Sequence, residues 1–201
     1  MHGKLRQPMK TSMAVGGYLF LCRSDIDCLS NEKYPHNNDE FPTLLQGRLW
    51  HTTSVPRYQM IIETGEILPN PQIPDQERWC TSRGPEFYPF VRSLGGVSLF
   101  DFKGFTPRYY RRKFPLSCWM EFVPYRRGWG QAVWIEINRQ AIRQNFISTG
   151  ELLAKWKLNE AYKHNIMPMI EAAHLGPIPL SAFTTVLKCG AGINGFEALK
   201  I

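Results

Sequence analysis

Nine basic residues fall between positions 103 and 143 of this 201-residue chain: Lys103, Arg108, Arg111, Arg112, Lys113, Arg126, Arg127, Arg139 and Arg143. Only Glu121 and Glu136 oppose them, so this one segment carries the whole formal charge of +7. Aromatic side chains are interleaved: Phe105, Tyr109, Tyr110, Phe114, Trp119, Phe122, Tyr125 and Trp129. Guanidinium forks match phosphate oxygens and aromatic faces stack on bases. The segment therefore has the chemistry of a nucleic-acid surface, with Arg108, Arg111, Arg112, Arg126 and Arg127 as its contacts. A solvated basic face with core aromatics behind it fits the same pattern.

Three other pieces carry polar groups on apolar frames: L-W-H-T-T at 49–53, with E-T-G-E-I-L following at 63–68; G-G-V-S-L-F-D-F at 95–102; and M-I-E-A-A-H-L-G-P-I-P-L at 169–180. Together they offer an imidazole, several hydroxyls and a carboxylate. Other catalytic signatures are missing, with no P-loop, no G-x-S-x-G elbow, no H-E-x-x-H and no G-x-G-x-x-G after a strand. Five cysteines, widely spread and without a C-x-x-C pair, argue against a disulfide framework and a zinc site. No metal is expected, and a reduced, cytoplasmic setting is the simpler expectation.

These groups need elements to position them. Leu45 to Thr53 is expected as a strand ending in His51-Thr52-Thr53. Val55, Tyr58, Ile61 and Ile62 then recur at helical spacing, with Ser54 as N-cap and Gly65 as terminator. Glu66-Ile67-Leu68 starts a strand that Pro69 cuts short. A strand opened by two glycines runs through Ser98 to Phe102. Gly130 to Asn138 alternates as a half-buried strand with Glu136 turned to solvent. Residues 140–158 are patchily helical, Met167 to Leu175 reads as a strand, and Leu180 to Cys189 as a short helix or strand. Strands scattered among short helices without regular βαβ alternation indicate α+β.

Polar residues 24–44 read as a linker, so 1–44 is expected as an arm and 45–201 as the compact domain. Lys4, Arg6 and Lys10 before the apolar Met13–Cys22 stretch loosely imitate a signal peptide. Gly16-Gly17 interrupts that stretch and no small-residue cleavage site follows, so no leader is expected. No run reaches the roughly 18 apolar residues of a membrane span, and no membrane partner is expected.

The order and context of the three pieces resemble the ADP-ribosyltransferase superfamily, especially its small bacterial toxin branches and the DarT type that modifies DNA. In that family a first strand ends in His-Thr or His-x-Thr, a helix ends in an I-x-x-G-x-L-like turn, a middle strand supplies a small hydroxyl or aromatic residue, and a late strand supplies a glutamate. Ile61 to Leu68 and Glu171 to Pro179 match the second and fourth of these. The resemblance spans residues 47–189 in islands. It implies a split β-sandwich with short flanking helices that takes NAD as substrate.

Under that resemblance, Glu171 is the catalytic carboxylate, stabilising an oxocarbenium-like ribose and deprotonating the acceptor. His51 would bond a ribose hydroxyl, Thr52 or Thr53 would steady the cofactor, Ser98 would line the opposite wall, and Tyr58 or Phe100 would stack on nicotinamide. The arginine that the DarT type sets against NAD has two possible matches, Arg83 and Arg92. The acceptor is expected to be a nucleic acid, with a protein close behind, and an antitoxin or immunity partner is implied. Apart from family context, His51 fits a satisfied histidine, Glu171 an exposed residue paired with lysine, and Ser98 a structural one. His174 falls on the strand face opposite Glu171 and stays outside the site. NAD-dependent RNA 2′-phosphotransfer, a non-catalytic nucleic-acid-binding module and an inhibitor of a host protein are the competing functions.

Overall fold

A computed structural model describes residues 41–200 except Ser82. Most of the expected arm, and all of the leader-like stretch, lies outside the described residues. Packing is already established at Phe41, whose ring meets Phe102 edge-on at a centroid distance of 4.8 Å.

The chain is α+β, as its pattern implies. β1 (Leu49–Ser54) leads directly into α1 (Val55–Thr64), and β2 (Glu66–Ile67) follows. Pro56 sits in the first turn of α1, where its missing N–H costs nothing. Gly65 ends the helix at φ 79°, a left-handed conformation that favours glycine, and its N–H donates to the Ile61 carbonyl. An irregular segment with two short 3-10 turns then runs to α2 (Phe90–Ser93) and β3 (Gly96–Asp101). α3 (Pro107–Lys113) and two more 3-10 turns precede β4 (Gln131–Ile137). β5 (Phe146–Ile147), α4 (Thr149–Leu158), β6 (Glu171–Leu175), β7 (Ile178–Pro179), β8 (Phe183–Gly190) and β9 (Phe196–Leu199) complete the order. The patchy helical reading of 140–158 resolves into α4, which starts at a capping box formed by Ser148 and Glu151.

Seven strands form one antiparallel sheet in the order β5-β6-β3-β1-β4-β8-β9, and β2 pairs with β7 apart from it. The sheet is covered on both faces. Val133, Ile135 and Ile137 of β4 join Leu49, Leu99 and Val186 under Ile61 of α1. Ala132 and Trp134 of the same strand join Trp50, Phe100 and Phe102 on the other face. β4 is thus buried on both sides rather than half-buried. Glu136, near its end, pairs with Arg48 at 3.1 Å instead of standing free in water.

The second face is largely aromatic, and it absorbs much of the 103–143 segment. Phe105, Tyr110, Trp119 and Phe122 are buried there, and Trp50 and Trp134 meet edge-on at 6.3 Å and 89°. Their indole N–H groups are satisfied, Trp50 by the Leu45 carbonyl and Trp134 by the Pro124 carbonyl. Half of the eight interleaved aromatics are therefore buried in the core, while Tyr109 is exposed and Phe114, Tyr125 and Trp129 are half-buried.

No helix among the described residues is long and apolar enough to cross a membrane.

Candidate functional site

β1 and β3 pair only at Leu49–Asp101 and Trp50–Phe100, whereas β1 stays paired with β4 from Trp50 to Ser54. Beyond Trp50 the two strands part. β3 keeps its bonds to β6 through Gly96–Leu175, so its other edge opens onto a cleft. The cleft measures about 570 Å³, within the roughly 300–1,000 Å³ typical of small-molecule sites. Gly96 has to be small at this point: a Cβ there would meet the His174 carbonyl and Val91 Cγ1, each at 3.1 Å.

His51, Thr52, Thr53, Ser98, Phe100 and Glu171 all line this cleft. Three pieces more than 40 residues apart in sequence thus converge, because neighbouring antiparallel strands deliver one residue set to one opening.

Glu171 is buried, 2% exposed, at the start of β6. Its Oε1 accepts from the Ser98 hydroxyl at 2.6 Å and its Oε2 from the Met167 N–H at 2.8 Å. The Glu171 N–H in turn donates to the Met167 carbonyl at 2.9 Å, so residues 167–171 close on themselves. Met169 completes that turn at φ 64°, a left-handed conformation costing a side-chain-bearing residue roughly 1–2 kcal/mol. Burial pushes the Glu171 carboxyl up to about 7, against the pull of its bonds from Ser98 and Met167. The alternative of an exposed glutamate paired with lysine is overturned by this burial.

The His51 imidazole bridges the parting strands, with Nδ1 3.1 Å from the Ser98 carbonyl. A carbonyl only accepts, so Nδ1 carries the proton and Nε2 is left as an acceptor. Burial lowers the His51 pKa, partly offset by that carbonyl, so the ring is neutral near pH 7. Ser98 therefore touches both partners, its hydroxyl on the glutamate and its carbonyl on the histidine. Thr52 Oγ1 donates to the Val133 carbonyl at 3.3 Å, and Thr53 is buried.

Tyr58 does not join the cleft. Arg57, Met60, Ile61 and Thr64 form the face of α1 that lines it, while Tyr58 lies about 100° round the helix from Arg57 and packs into the core. Its part as a nicotinamide platform is withdrawn. Phe100 lines the cleft but is wedged among Phe102, Phe122 and Trp134. His174 lies outside the cleft, bonded through Nδ1–H to the Gly176 carbonyl at 3.1 Å.

Of the two arginines matched to the cofactor, Arg92 lines the cleft and Arg83 does not; Arg83 lies over the Phe87 ring at 3.9 Å. Arg57 and Arg78 also line it and escape sequence reasoning. Arg57 was legible in principle, one helical turn after Ser54. Arg78 sits in an irregular segment with no periodicity to place it. The basic 103–143 segment reaches the cleft through Phe122 and Trp129, and Arg126 lies close enough to Arg57 to depress its pKa. Arg108, Arg111 and Arg112 share α3 and do not line the cleft, their helix anchored by buried Tyr110, and Arg127 is exposed on a 3-10 turn.

Among the described residues no group of three or more His, Cys, Asp and Glu side chains is placed to hold a metal. In comparison with known proteins, the chain matches no protein-family model and no curated sequence.

Proposed function

We propose that this chain transfers ADP-ribose from NAD to a macromolecular acceptor, with a nucleic acid as the first choice. The observation that carries this reading is the buried Glu171 carboxylate facing a cleft it shares with Ser98 and a neutral His51. The parting of β1 from β3 supports reading the sheet as the split sandwich of ADP-ribosyltransferases, with NAD in the gap.

Breaking the bond between nicotinamide nitrogen and ribose C1′ sends the electron pair to nicotinamide and leaves positive charge on the ribose. An ionised Glu171 in a low-dielectric cleft stabilises that charge far better than a carboxylate in water. The acceptor's nitrogen or oxygen forms the new bond to C1′, and its proton passes to the Glu171 carboxylate and then to solvent. A carboxyl titrating near 7 is poised for both duties. His51 Nε2 accepts a bond from a ribose hydroxyl. Arg126, with Trp129 beside the opening, favours an anionic acceptor.

The test is incubation of the full chain with NAD labelled in its adenylate phosphate, together with single-stranded DNA, RNA or a cell lysate. Label is expected on one macromolecule, with stoichiometric release of nicotinamide, and Glu171→Gln is expected to abolish both. Label transfer that survives in Glu171→Gln overturns the assignment. Tight nucleic-acid binding without any nicotinamide release favours a binding module instead.

A further inference from the structure

Glu171 stands at the end of the closed turn 167–171, and a backbone bond ties that turn to β3: the Asp101 N–H donates to the Ile170 carbonyl at 2.8 Å. Asp101 is the last residue of β3 and lies opposite Leu49 of β1. Its side chain is 11% exposed and accepts three bonds. Arg139 Nη2 donates to Oδ1 at 2.6 Å and Arg139 Nη1 to Oδ2 at 2.7 Å, while the Lys103 N–H donates to Oδ1 at 2.9 Å. The Arg139 guanidinium is 5.8 Å from the centre of the Phe146 ring. This arginine belongs by sequence to the basic 103–143 segment, yet its charge is directed into the fold.

β1 lies between β3 and β4 in the sheet, and Arg139 follows the end of β4 by two residues. The ion pair therefore spans β1 and joins two strands that are not neighbours. It does so at the closed end of the split. There β1 and β3 hold each other through Leu49–Asp101 and Trp50–Phe100. The Phe102 N–H adds a bond to the Arg48 carbonyl at 3.0 Å, and the Gly47 N–H one to the Phe102 carbonyl at 3.1 Å. Toward Ser98 the strands have parted and the cleft begins. The fork thus sits at the joint about which β3 swings relative to β1. β3 carries both Ser98, which serves the Glu171 carboxylate at 2.6 Å, and Asp101, which holds the turn behind it. One rotation of this strand end moves both supports of the carboxylate.

A buried ion pair is a weak source of stability, because well-packed apolar side chains of similar volume often hold a fold as firmly. What a bidentate fork adds is direction, since two parallel bonds fix an angle as well as a distance. Arg139 does not line the cleft, so contact with a ligand there does not account for its placement. We propose that Arg139 is a positioning residue for Glu171: its fork on Asp101 fixes the end of β3, and the Asp101 N–H thereby fixes the turn that presents the carboxylate. For its consequence in catalysis this rests on the transferase reading. The positioning itself is measured without any transfer.

The experiment compares the full wild-type chain with Arg139→Lys and Arg139→Met by amide hydrogen exchange and by nicotinamide release from NAD. Lysine keeps a charge beside Asp101 without the fork, so it reads the geometry even where Arg139→Met fails to fold. The Asp101 amide reports the bond to Ile170, and the Met167 amide reports the bond to Glu171 Oε2. In Arg139→Lys both are expected to exchange about tenfold faster, while the middle of β4, Val133 to Ile135, keeps its wild-type protection. The kcat of nicotinamide release is expected to fall about tenfold or more with KM for NAD within about threefold, the signature of a misplaced reacting group. Arg48→Met, which removes the neighbouring pair with Glu136, is expected to change neither readout. Unchanged exchange at Asp101 and Met167 overturns the proposal, and so does an equal loss of protection throughout β4, which marks a general brace of the fold. A rise in KM with kcat intact also overturns it. Faster exchange at those two amides in a protein whose wild type releases no nicotinamide keeps the positioning and removes the transferase reading.

Discussion

The Ser98 hydroxyl reaches Glu171 diagonally across two strands: Phe100 lies opposite Glu171 in the register and Ser98 lies opposite Ala173, yet the oxygens are 2.6 Å apart. The diagonal brings a hydroxyl to the carboxylate while Phe100, directly opposite Glu171 in the register, lines the same cleft. Ser98→Ala removes one of the two bonds that oppose burial, so the Glu171 pKa rises above its value of about 7. A hydrogen bond to a charged group is worth about 1.5–3 kcal/mol, which converts to a shift of roughly one to two pH units. The acidic limb of nicotinamide release against pH is expected to move to higher pH by that amount. An unmoved limb would mean that this bond does not govern the active carboxylate.

The same carboxyl makes stability depend on pH in a calculable direction. Its folded pKa of about 7 stands above the ordinary 4.5 of the unfolded chain, so the folded state holds the proton more tightly. Its contribution is fully present below pH 4.5 and is lost as pH rises through about 7. Glu171→Gln cannot ionise, so its stability relative to wild type is expected to grow by up to about 3 kcal/mol between acid and alkaline conditions. Urea unfolding of both proteins across that range checks the slope, whatever constant offset the substitution adds. A difference independent of pH would place the carboxyl in a solvated setting.

Local periodicity made some of this legible in the sequence and topology hid the rest. The helix 55–64 and its glycine stop follow from spacing alone, since Val55, Tyr58, Ile61 and Gly65 mark a face and an end. That face also misled. Spacing says that Tyr58 is apolar-side, but only the tertiary placement of α1 shows the core on that side and the cleft on the side of Arg57. The burial of Trp134 needed knowledge that an aromatic layer covers the second sheet face. Ser98 and Glu171 were separable from structural residues only by family likeness, because a 73-residue separation leaves no local trace of a 2.6 Å contact. Arg78 and the Met167 N–H lie in irregular backbone, where no pattern announces a role.

The basic segment gives a prediction in ionic strength. Each phosphate contact contributes close to one unit to the slope of log affinity against log salt, about 0.7 for single strands. Arg126, beside Arg57 of the cleft, is expected to make such a contact when the acceptor reacts. Arg126→Ala should lower the slope by about that one increment and slow transfer to nucleic acid. A double change at Arg108 and Arg112, on α3 and outside the cleft lining, should weaken binding while sparing single-turnover transfer at saturating acceptor. Fluorescence anisotropy over a salt series reads the first, and rapid-quench transfer the second. Equal effects from both sites would mean that the acceptor enters elsewhere.

The aromatic face predicts where stability resides. Trp134 is fully buried, edge-on to Trp50, with its indole N–H on the Pro124 carbonyl. Trp134→Ala leaves a cavity and takes the stronger of two donors from the Pro124 carbonyl, which the Cys189 thiol still serves, and is expected to cost about 3–5 kcal/mol. Tyr109→Ala, on the exposed face of α3, should stay within about 0.5 kcal/mol of wild type. Chemical denaturation separates the two, and comparable losses would show that the layer is looser than its ring contacts imply.

His51 is expected to position substrate without exchanging its proton. Its Nδ1–H is engaged by the Ser98 carbonyl and burial keeps the ring neutral, so Nε2 is the atom offered to a ligand. An asparagine amide nitrogen can take the place of Nδ1, and a glutamine side chain reaches the place of Nε2. His51→Asn should therefore keep the bond to Ser98 and the folded state but raise KM for NAD roughly tenfold, the effect of one lost hydrogen bond of about 1.4 kcal/mol. His51→Gln should recover part of that loss. In both variants the limb near pH 7 should stay where wild type has it, because the proposed reaction assigns that limb to Glu171. A limb that moves with His51 while the glutamate is intact would exchange the roles of the two residues and make the imidazole the base.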